Sequence, residues 1–515
     1  MPPILQRIKP ILRAPASGAR FLWGHRRLVL IGLALALLAW VFRPLWQPLV
    51  IFGGVHFFEI AAYVAVAVTL GRLLKSRRWK PIFAITAVAG LWLYCIYAWN
   101  LSPYDYVTLH YRYGQVSKEE VKSLPITSSE RVQPFHAIFK AAEQMTSDSK
   151  ITPTDPDIVR DGSSYRYTLA FEPDGFFRKR LNQVESVISM PVTSAAPDFS
   201  GPAQSKVAFS VGEEMAWSRS AKSAATRSVG IRMFRYTPAD VRYLRDDKGK
   251  WVEVVSLTHW RGFVFPWPEF GGVVVFRQEP DGGSTVHRTL FGGGEWVPPG
   301  EIARHPYLVG QNLVPYEVSR WIAESFRFRR GIAGPITHNG DVRIPDIEGD
   351  KNLQPFTVAA KFDGDKAVRL WHYFGLEPFD AAKRGLSVSL FVPADGIGPV
   401  KVVDHGDQSG LLGVSAVPAH VRAKENKIDW SDNTPVEHRP YIRSILGGVR
   451  LLWLTTIVTK DFVAGADPQM ALTDAQTRTV IRVEAREPET WVARIEAELR
   501  KGTAAVEPEA PLTAK

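Results

Sequence analysis

Three apolar runs, separated by clusters of basic residues, fill most of the first hundred positions of the chain. The runs occupy residues 28–42, 49–71 and 81–99. A helix of about 20 apolar residues crosses a hydrocarbon core of roughly 30 Å, and the second and third runs reach this length. The first run is shorter, but Arg27 and Arg43 at its ends can extend their guanidinium groups to the interfaces. The sequence therefore predicts an anchor of three transmembrane helices over residues 28–99, retained because no small-residue cleavage site follows the first run.

The basic residues indicate how this anchor is oriented. Residues 1–27 contain six Lys or Arg and no acidic residue, and residues 72–80 contain five Lys or Arg. Between the first two runs Arg43 is the single cation. Cationic loops stay on the cytoplasmic side of a membrane. We therefore predict a cytoplasmic basic N-terminus over residues 1–27 and a periplasmic location for residues 100–515.

The net charge of +11 comes entirely from the anchor. Residues 1–99 carry twelve Lys or Arg and one acidic residue, and beyond them 51 Lys or Arg balance 51 Asp or Glu. A neutral outer region gives a nucleic-acid partner no electrostatic support. Cys95 is the only cysteine, so the outer region has neither disulfides nor cysteine-ligated metals. These features are typical of a bacterial inner (plasma) membrane protein.

The residue pattern of the outer region predicts a mainly β, sandwich-like fold with some helices, in two lobes over residues 100–300 and 301–502. Short runs rich in β-branched and aromatic residues alternate with Gly, Pro and Asp turns. Predicted strands cover 106–111, 164–172, 184–191, 205–211, 226–234, 251–258, 271–278, 356–362, 367–374, 386–392, 400–404, 411–417, 449–458 and 479–483. Predicted helices cover 128–145, 314–330 and 487–501. Residues 503–515 are rich in Ala, Pro and Glu and are predicted to be disordered.

Candidate catalytic residues lie on two predicted loops of the second lobe. Asp404, His405 and Asp407 follow a predicted strand, and Glu437 and His438 precede another. Two histidines with several carboxylates can form a metal site or support acid–base catalysis. The alternative is that they cap turns, which the absence of a known spacing such as H-E-x-x-H favours. We therefore predict no metal and no cofactor.

Two aromatic stretches are candidates for binding. Trp260 and Trp267 lie within a stretch that also contains two Phe and two Pro, and Trp371 lies in a second stretch with Tyr and Phe. Exposed rings of this kind stack on sugar rings or on a protein partner. The alternative is that they belong to a sandwich core, where aromatic residues are common.

His56 and Glu59 are the polar pair inside the second apolar run, three residues apart and so on one helical face. Ionisable groups at that depth face a partner or a cavity. They predict either contact with another membrane subunit or handling of protons. The alternative is a protonated Glu59 hydrogen-bonded to His56 or Tyr63 within the bundle.

No catalytic or cofactor motif stands out, so the sequence favours a non-enzymatic role. We predict a binding, scaffolding or accessory subunit of a bacterial cell-envelope assembly. Its expected partners are the membrane, a protein or a second copy in the bilayer, and an envelope glycan, but no nucleic acid. The first alternative is a membrane-anchored hydrolase or transferase acting on glycans. The second is an accessory subunit of a transporter.

Overall fold

A computed structural model describes most of the chain. The described residues are 26–57, 60–61, 64–65, 67–69, 85–91, 102–128, 130–146, 150–194, 203–230, 235–262, 266–278, 285–338, 341–347, 354–365, 367–380, 385–406, 410–459 and 469–504. The predicted site residues Glu59 and Asp407 lie outside them, as do residues 1–25 and the predicted tail from residue 505 onward.

Runs of consecutive strands are interrupted by helices along the described residues. The helices are α1 (Arg26–Val41), α2 (Arg43–Val55), α3 (Pro103–Gln115), α4 (Phe135–Thr146), α5 (Arg178–Leu181), α6 (Ala221–Ser228), α7 (Thr285–Phe291), α8 (Tyr316–Ser325), α9 (Gly334–Thr337), α10 (Val417–Lys424) and α11 (Trp491–Ala504). The strands are β1 (Lys118–Glu120), β2 (Ile126–Ser128), β3 (Ile151–Pro153), β4 (Asp157–Asp161), β5 (Ser164–Pro173), β6 (Val184–Pro191), β7 (Gln204–Phe209), β8 (Tyr236–Arg245), β9 (Trp251–Arg261), β10 (Trp267–Arg277), β11 (Glu295–Val297), β12 (Val342–Arg343), β13 (Phe356–Lys361), β14 (Arg369–Pro378), β15 (Val388–Pro393), β16 (Val400–Asp404), β17 (Asn433–Ile445), β18 (Gly448–Thr459), β19 (Gln469–Asp474) and β20 (Val480–Glu484).

The two N-terminal helices meet at a sharp bend. Residues Leu30–Val41 of α1 and Arg43–Val55 of α2 form an angle of 77°. Within the described residues neither helix alone is long and apolar enough to cross a membrane, and only the bent pair together meets that test of length and composition. The three predicted spans therefore remain a prediction.

The described residues form four β sheets, which confirms the prediction of a mainly β region. The largest sheet has seven strands in the order β1-β16-β15-β14-β13-β2, with β12 paired to β14. Its pairs are antiparallel except for β1, which runs parallel to β16. The other sheets are β3-β5-β6-β7 with β4 on β5, β11-β10-β9-β8, and β17-β18-β19-β20.

The five-stranded sheet and the β8–β11 sheet pack face to face, and we call this pair the first sandwich. Trp251, Val255 and Leu257 of β9 point into its core because successive side chains of a strand alternate between faces. Ala170 of β5 and Phe209 of β7 meet them from the opposite sheet. The outer face of the five-stranded sheet is covered by α4.

The seven-stranded sheet and the β17–β20 sheet form the second sandwich. Its core contains Trp371 and Tyr373 of β14, Phe391 of β15 and Trp453 of β18, all fully buried. The ring of Tyr373 lies 5.0 Å from that of Phe391 and 6.2 Å from that of Trp453, measured between centroids. The outer faces are covered by α8 and by α11.

The division of the outer region at residue 300 stays a prediction. Strands β1 and β2, from the first predicted lobe, pair with β16 and β13 in the seven-stranded sheet. The segment 118–128 therefore joins strands that lie more than two hundred residues away in sequence.

The predicted strand at 106–111 is wrong, because α3 covers it. The Ser102 hydroxyl accepts a hydrogen bond from the backbone N–H of Asp105 at 3.0 Å, and Pro103 supplies a preset first helical residue. The ring of Tyr104 packs against Trp321 of α8 with centroids 6.5 Å apart. Capping and this helix–helix contact outweigh the β propensity of the Tyr and Val residues.

Two more predicted strands are wrong where the structure describes them, for related reasons. Within 226–234, residues 226–228 belong to α6, and residues 231–234 lie outside the described residues. The Ser220 hydroxyl caps α6 by accepting a hydrogen bond from the backbone N–H of Ser223. Within 411–417, a short 3-10 turn at Val414–Ala416 leads into α10. Pro418 at the start of α10 has a preset φ that suits a first helical turn.

Candidate functional site

Asp404 and His405 lie at the end of β16 and are bound by neighbouring groups. The exposed Asp404 carboxylate accepts hydrogen bonds from Arg329 at 3.3 Å and from the backbone N–H of Gly406 at 2.9 Å. Nε2 of His405 lies 2.9 Å from Oγ of Ser389. Burial lowers the pKa of His405 to about 4, so its ring is neutral at pH 7.

Glu437 and His438 lie at a β-bulge of β17. The Glu437 carboxylate pairs with Arg131 at 2.8 Å and with Arg439 at 3.0 Å. His438 is fully buried with Nδ1 2.9 Å from Oγ1 of Thr455, and its Nε2 has no hydrogen-bond partner among the described residues. Burial lowers the pKa of His438 to about 3.

These loop residues therefore have separate partners. His405 bonds a hydroxyl of the seven-stranded sheet, whereas His438 bonds one of the β17–β20 sheet. Across the described ranges no group of three His, Cys, Asp or Glu side chains is placed to hold a metal ion. At the end of α2, the ring of His56 lies 4.4 Å from that of Phe52, measured between centroids.

The three predicted binding tryptophans differ in exposure. Trp371 is fully buried in the second sandwich. Trp260 and Trp267 are half-buried on neighbouring strands, and their indole N–H groups donate to Thr237 at 3.0 Å and to Glu269 at 3.2 Å. Only this second pair offers ring surface to a ligand.

A cavity of about 410 Å³ opens between α4, the start of β4, β8 and the start of α8. Carboxylates and aromatic rings dominate its lining, and we call it the acidic cleft: Asp155, Asp157, Glu213, Asp240, Phe135, Phe139 and Tyr316. The volume falls in the range of small-molecule sites. The fold assembles this cleft from segments that are far apart in sequence.

Local structure explains how the carboxylates reach the cleft. Asp155 lies in the irregular segment between β3 and β4, and Asp157 is the first residue of β4. Asp240 lies in a β-bulge of β8, an irregularity that redirects a side chain from its regular face. Glu213 belongs to the loop that follows β7. Asp155 and Asp240 thus depend on an irregular segment and on a bulge, respectively.

A buried arginine lies beneath two of these carboxylates. Arg242 is fully buried and forms ion pairs with Asp157 at 3.2 Å and Asp240 at 3.0 Å, and it donates to Oγ of Ser256 at 2.8 Å. Burial alone would lower the pKa of Arg242, but the two carboxylates raise it above its ordinary value. Burial raises the pKa of Asp157 to about 7; the Arg242 charge opposes this rise, and the charges of neighbouring carboxylates add to it.

The carboxylates continue from the cleft into the first sandwich. Glu213 pairs with Lys222 at 3.3 Å, and its backbone N–H donates to the Glu172 carboxylate at 2.7 Å. Glu172 is fully buried and also accepts from the backbone N–H of Glu214 at 2.8 Å and the phenol of Tyr243 at 3.1 Å. Burial raises the pKa of both Glu172 and Glu213 to about 7.

Glu253 is the innermost member of this group. It lies on β9 directly across from Tyr243 of β8, fully buried, and neither carboxyl oxygen has a hydrogen-bond partner among the described residues. Burial raises the pKa of Glu253 well above 4.5, and the charges of Glu172 and Glu213 raise it further. An unsatisfied buried polar group costs about 1–3 kcal/mol. Carboxyls with strongly shifted pKa values cluster at functional sites, so Glu253 indicates a functional site in this part of the molecule.

A buried polar network holds Tyr316, on the wall of the cleft. Its phenol accepts a hydrogen bond from the Asn312 amide at 3.1 Å and lies 3.2 Å from Oγ1 of Thr357. Oδ1 of Asn312 lies 2.7 Å from Nε2 of His372, and Nδ1 of His372 lies 2.6 Å from Oγ of Ser319. With the amide donating to Tyr316, Nε2 carries the proton and Nδ1 accepts from Ser319. Burial lowers the pKa of His372 to about 3, so this Ser–His–Asn set is a neutral structural support.

The acidic cleft carries an excess of negative charge. Four carboxylates line it, and among the described residues two cations, Arg242 and Lys222, form ion pairs with them. When all four carboxylates are ionised, two negative charges are left for a ligand to balance, and because the pKa of Asp157 and of Glu213 is about 7, this state is reached above neutral pH. Carboxylates beside aromatic faces bind guanidinium and ammonium groups. Carboxyls with a pKa near neutrality are also suited to general acid–base catalysis.

Sequence reasoning did not single out these carboxylates, although one signal was present. Trp251, Glu253 and Val255 alternate along β9 and point to one face. A lone carboxyl at an inward position of an apolar strand breaks the expected pattern. The irregular segment at Asp155 and the bulge at Asp240 carry no comparable sequence signal, because only the fold brings them together.

Comparisons with known proteins give no assignment. No known protein family matches the chain, no curated protein is similar to it, and no solved structure matches its fold. Functional interpretation therefore rests on the geometry of the acidic cleft and on the composition of the N-terminal region.

Proposed function

We propose that the protein is a membrane-anchored binding or accessory subunit of a bacterial cell-envelope assembly, with residues 100–515 in the periplasm. The distribution of basic residues around the apolar runs supports this orientation. Leu33, Leu37 and Leu45 on the first two helices expose more than half of their surface, as expected of helices that contact lipid or another membrane subunit.

The acidic cleft is the single observation that carries a recognition function. It joins four carboxylates to three aromatic rings around one cavity, and Arg242 and Lys222 balance only part of the charge. A guanidinium group suits such a site because it pairs with carboxylates in two-point geometry and stacks on aromatic faces. We infer that the cleft takes a cationic group, such as an arginine side chain of a partner protein.

The test uses the full chain in phospholipid nanodiscs and a pair of ligands that differ in charge alone. N-acetyl-argininamide and its citrulline analogue have the same shape, and calorimetry measures the affinity of each. At about 0.3 kcal/mol per atom for about 15 non-hydrogen atoms, the arginine ligand has a Kd on the order of 1 mM. The neutral analogue should not bind measurably.

Two variants assign the binding to the cleft. Glu213→Gln removes a cleft carboxylate and should weaken the arginine ligand, whereas Glu498→Gln removes one on α11 and should leave its affinity unchanged. Added salt should weaken binding as well, because the attraction is electrostatic. Equal affinity for both ligands, or an unchanged affinity in Glu213→Gln, would rule out a cation site.

The second candidate is a glycan hydrolase or transferase, favoured by the pKa of about 7 for both Asp157 and Glu213 on one cleft. A carboxyl with such a pKa can donate a proton at neutral pH while another accepts one. Release of reducing ends from envelope glycan by the wild type, lost in Glu213→Gln, would favour this candidate. For the third candidate, an accessory subunit of a transporter, the support is the pair His56 and Glu59 in the sequence.

A further inference from the structure

Six large apolar side chains are exposed on neighbouring elements beside the first sandwich. Their exposed fractions run from 42% at Trp217 to 72% at Phe177. We call this set the interfacial patch: Phe176, Phe177, Leu181, Trp217, Val286 and Phe291. Scattered apolar residues on a surface need no explanation, but a contiguous group marks a contact site.

The densest part of the patch is a short segment after β5. Gly175, with φ +92°, turns the chain outward, and α5 follows as a single helical turn. The rings of Phe176 and Phe177 pack edge to face with centroids 5.3 Å apart. Leu181 ends the segment with 70% of its surface exposed. The turn therefore presents its apolar side chains to the outside instead of to the core.

Three consecutive cations are interleaved with these apolar residues. Arg178, Lys179 and Arg180 form the body of α5, and the Arg180 guanidinium lies 4.0 Å from the centre of the Phe176 ring. Lys179 forms two ion pairs at 3.8 Å, with Asp174 and Glu214, whereas Arg178 and Arg180 have no ion pair among the described residues. A basic and aromatic surface of this kind complements an anionic lipid headgroup layer above an apolar interior.

The patch is continuous with the N-terminal helices. The backbone N–H of Ala216 donates to the carbonyl of Lys179 at 3.0 Å, which places the α5 segment beside Trp217. The Trp217 ring meets Phe42, between α1 and α2, edge to face with centroids 5.5 Å apart. On the other side, the Trp40 indole N–H donates to the carbonyl of Leu290 in α7 at 2.7 Å.

The backbone of Trp217 adds an independent sign that its position matters. Its φ is +61°, in the left-handed region that a bulky residue rarely adopts. Such a conformation persists only where surrounding contacts over-determine it, and it is concentrated at functional positions. Here it holds an indole ring at the junction of the first sandwich with α1 and α2.

We propose that the interfacial patch lies on the anionic phospholipid surface of the bilayer that holds the N-terminal helices. The aromatic rings then sit at the boundary of headgroups and acyl chains, and Arg178, Lys179 and Arg180 contact lipid phosphates. The outer region is docked on the membrane at this patch and does not swing freely on its anchor. This inference rests on the proposed membrane anchoring.

Lipid contact is measured on the full chain with a fluorescent probe at one cysteine. In a Cys95→Ser background, Leu181→Cys is labelled with an environment-sensitive dye and reconstituted into nanodiscs of phosphatidylethanolamine and phosphatidylglycerol. Lipids that carry a spin label on the acyl chain should quench most of this fluorescence. The matched control is Lys248→Cys, an exposed position beyond the far end of β8. Tyr236, at the other end of β8, lies next to the N-terminal helices because its carbonyl accepts a hydrogen bond from Gln47 of α2. Position 248 lies about 30 Å from Tyr236 along the strand, so a dye there should stay unquenched.

The charges supply a graded second measurement. Replacing Arg178, Lys179 and Arg180 by Gln in turn should lower the ratio of docked to undocked protein by about fivefold for each lost cation. Replacing phosphatidylglycerol by a neutral lipid should have a similar effect. An unchanged ratio in both experiments would overturn the assignment to an anionic surface.

The outcomes separate this proposal from the anchoring on which it rests. If the chain leaves the nanodisc during gel filtration, the anchoring itself is wrong. If it stays and the dye at position 181 remains unquenched and solvent-exposed, the docking proposal alone is wrong. If the dye is shielded from water but not quenched by spin-labelled lipid, a second copy or another protein covers the patch, and the lipid assignment is overturned.

Discussion

Glu172 and Glu253 lie between the sheets of the first sandwich, whereas Trp371, Tyr373 and Trp453 occupy the corresponding space in the second. The indole N–H of Trp453 donates to the carbonyl of Leu412 at 2.9 Å. By contrast, neither carboxyl oxygen of Glu253 has a hydrogen-bond partner among the described residues. The two sandwiches have similar architecture but satisfy their buried polar atoms to different degrees.

The buried Asp474 carboxylate of the second sandwich has several partners. Asp474 accepts hydrogen bonds from the backbone N–H groups of Gln476 at 2.8 Å and Thr477 at 2.7 Å, and it pairs with Arg450 at 3.1 Å. The first sandwich instead keeps carboxyls whose pKa burial raises, next to the acidic cleft. Among the described residues, the first sandwich thus leaves a buried carboxyl without a partner near the candidate site, whereas the unsatisfied buried atoms of the second include ring and guanidinium nitrogens of His438 and Arg439 but no carboxyl oxygen.

The largest expected effect concerns the aromatic cores. Trp453→Ala removes a fully buried ring and leaves the Leu412 carbonyl without its donor, so we expect a loss of about 3–5 kcal/mol in the free energy of unfolding. Trp251→Ala in the first sandwich should lose less, because the Trp251 indole N–H has no acceptor among the described residues. Urea unfolding of the full chain in detergent measures both. An equal or larger loss for Trp251→Ala would contradict the expected difference in stability between the two cores.

The next effect has the opposite sign. Glu253→Leu replaces an unsatisfied buried carboxyl by an apolar side chain of similar size, so it should raise the free energy of unfolding by about 1–3 kcal/mol. Glu253→Gln keeps two polar atoms in the same place and should gain little. Thermal unfolding of the two variants beside the wild type tests this. A destabilised Glu253→Leu would mean that the carboxyl has a structural partner, and the stability argument for a functional site would fail.

Much of the fold follows from the sequence because pattern and packing agree there. The strand predicted at 184–191 matches β6, and the one at 400–404 matches β16. These runs are rich in β-branched residues and face a core on at least one side. The closing helix is also found, shifted by a few residues to Trp491–Ala504.

The misses have physical causes in tertiary structure. The pattern gives no strand at β8, where Pro238 and Asp240 interrupt the apolar alternation and are accommodated by a bulge. The sequence pattern also does not predict most of the cleft. Asp157 and Tyr316 are 159 positions apart and come together only through packing around Arg242. Single-sequence patterns report on local periodicity and not on which strands become neighbours. Glu253 is the exception, because a single carboxyl at an inward position of an apolar strand is visible in the sequence and indicates an unusual site.

The smallest expected effect is a pH dependence with opposite signs in the two sandwiches. The folded-state pKa of Glu172 is raised to about 7 from an ordinary 4.5, so the folded protein takes up a proton that the unfolded chain does not. Its contribution to stability is complete below pH 4.5 and is lost as the pH rises toward 7. The folded-state pKa of His438 is lowered to about 3 from 6.5, so its contribution is present above pH 6.5 and is lost as the pH falls.

Lowering the pH from 7 to 6 should therefore stabilise the protein through Glu172 and destabilise it through His438, in each case by at most about 1.4 kcal/mol, the limit for one proton over one pH unit. Glu172→Gln removes the first change and His438→Gln the second, so their free energies of unfolding should respond to this pH step with opposite differences from the wild type. Urea unfolding of the full chain at both pH values provides the measurement. Each residue is fully buried, so solvent screening has little effect on either change. Differences of the same sign would show that protonation does not distinguish the two cores, and the contrast between them would then rest on hydrogen bonding alone.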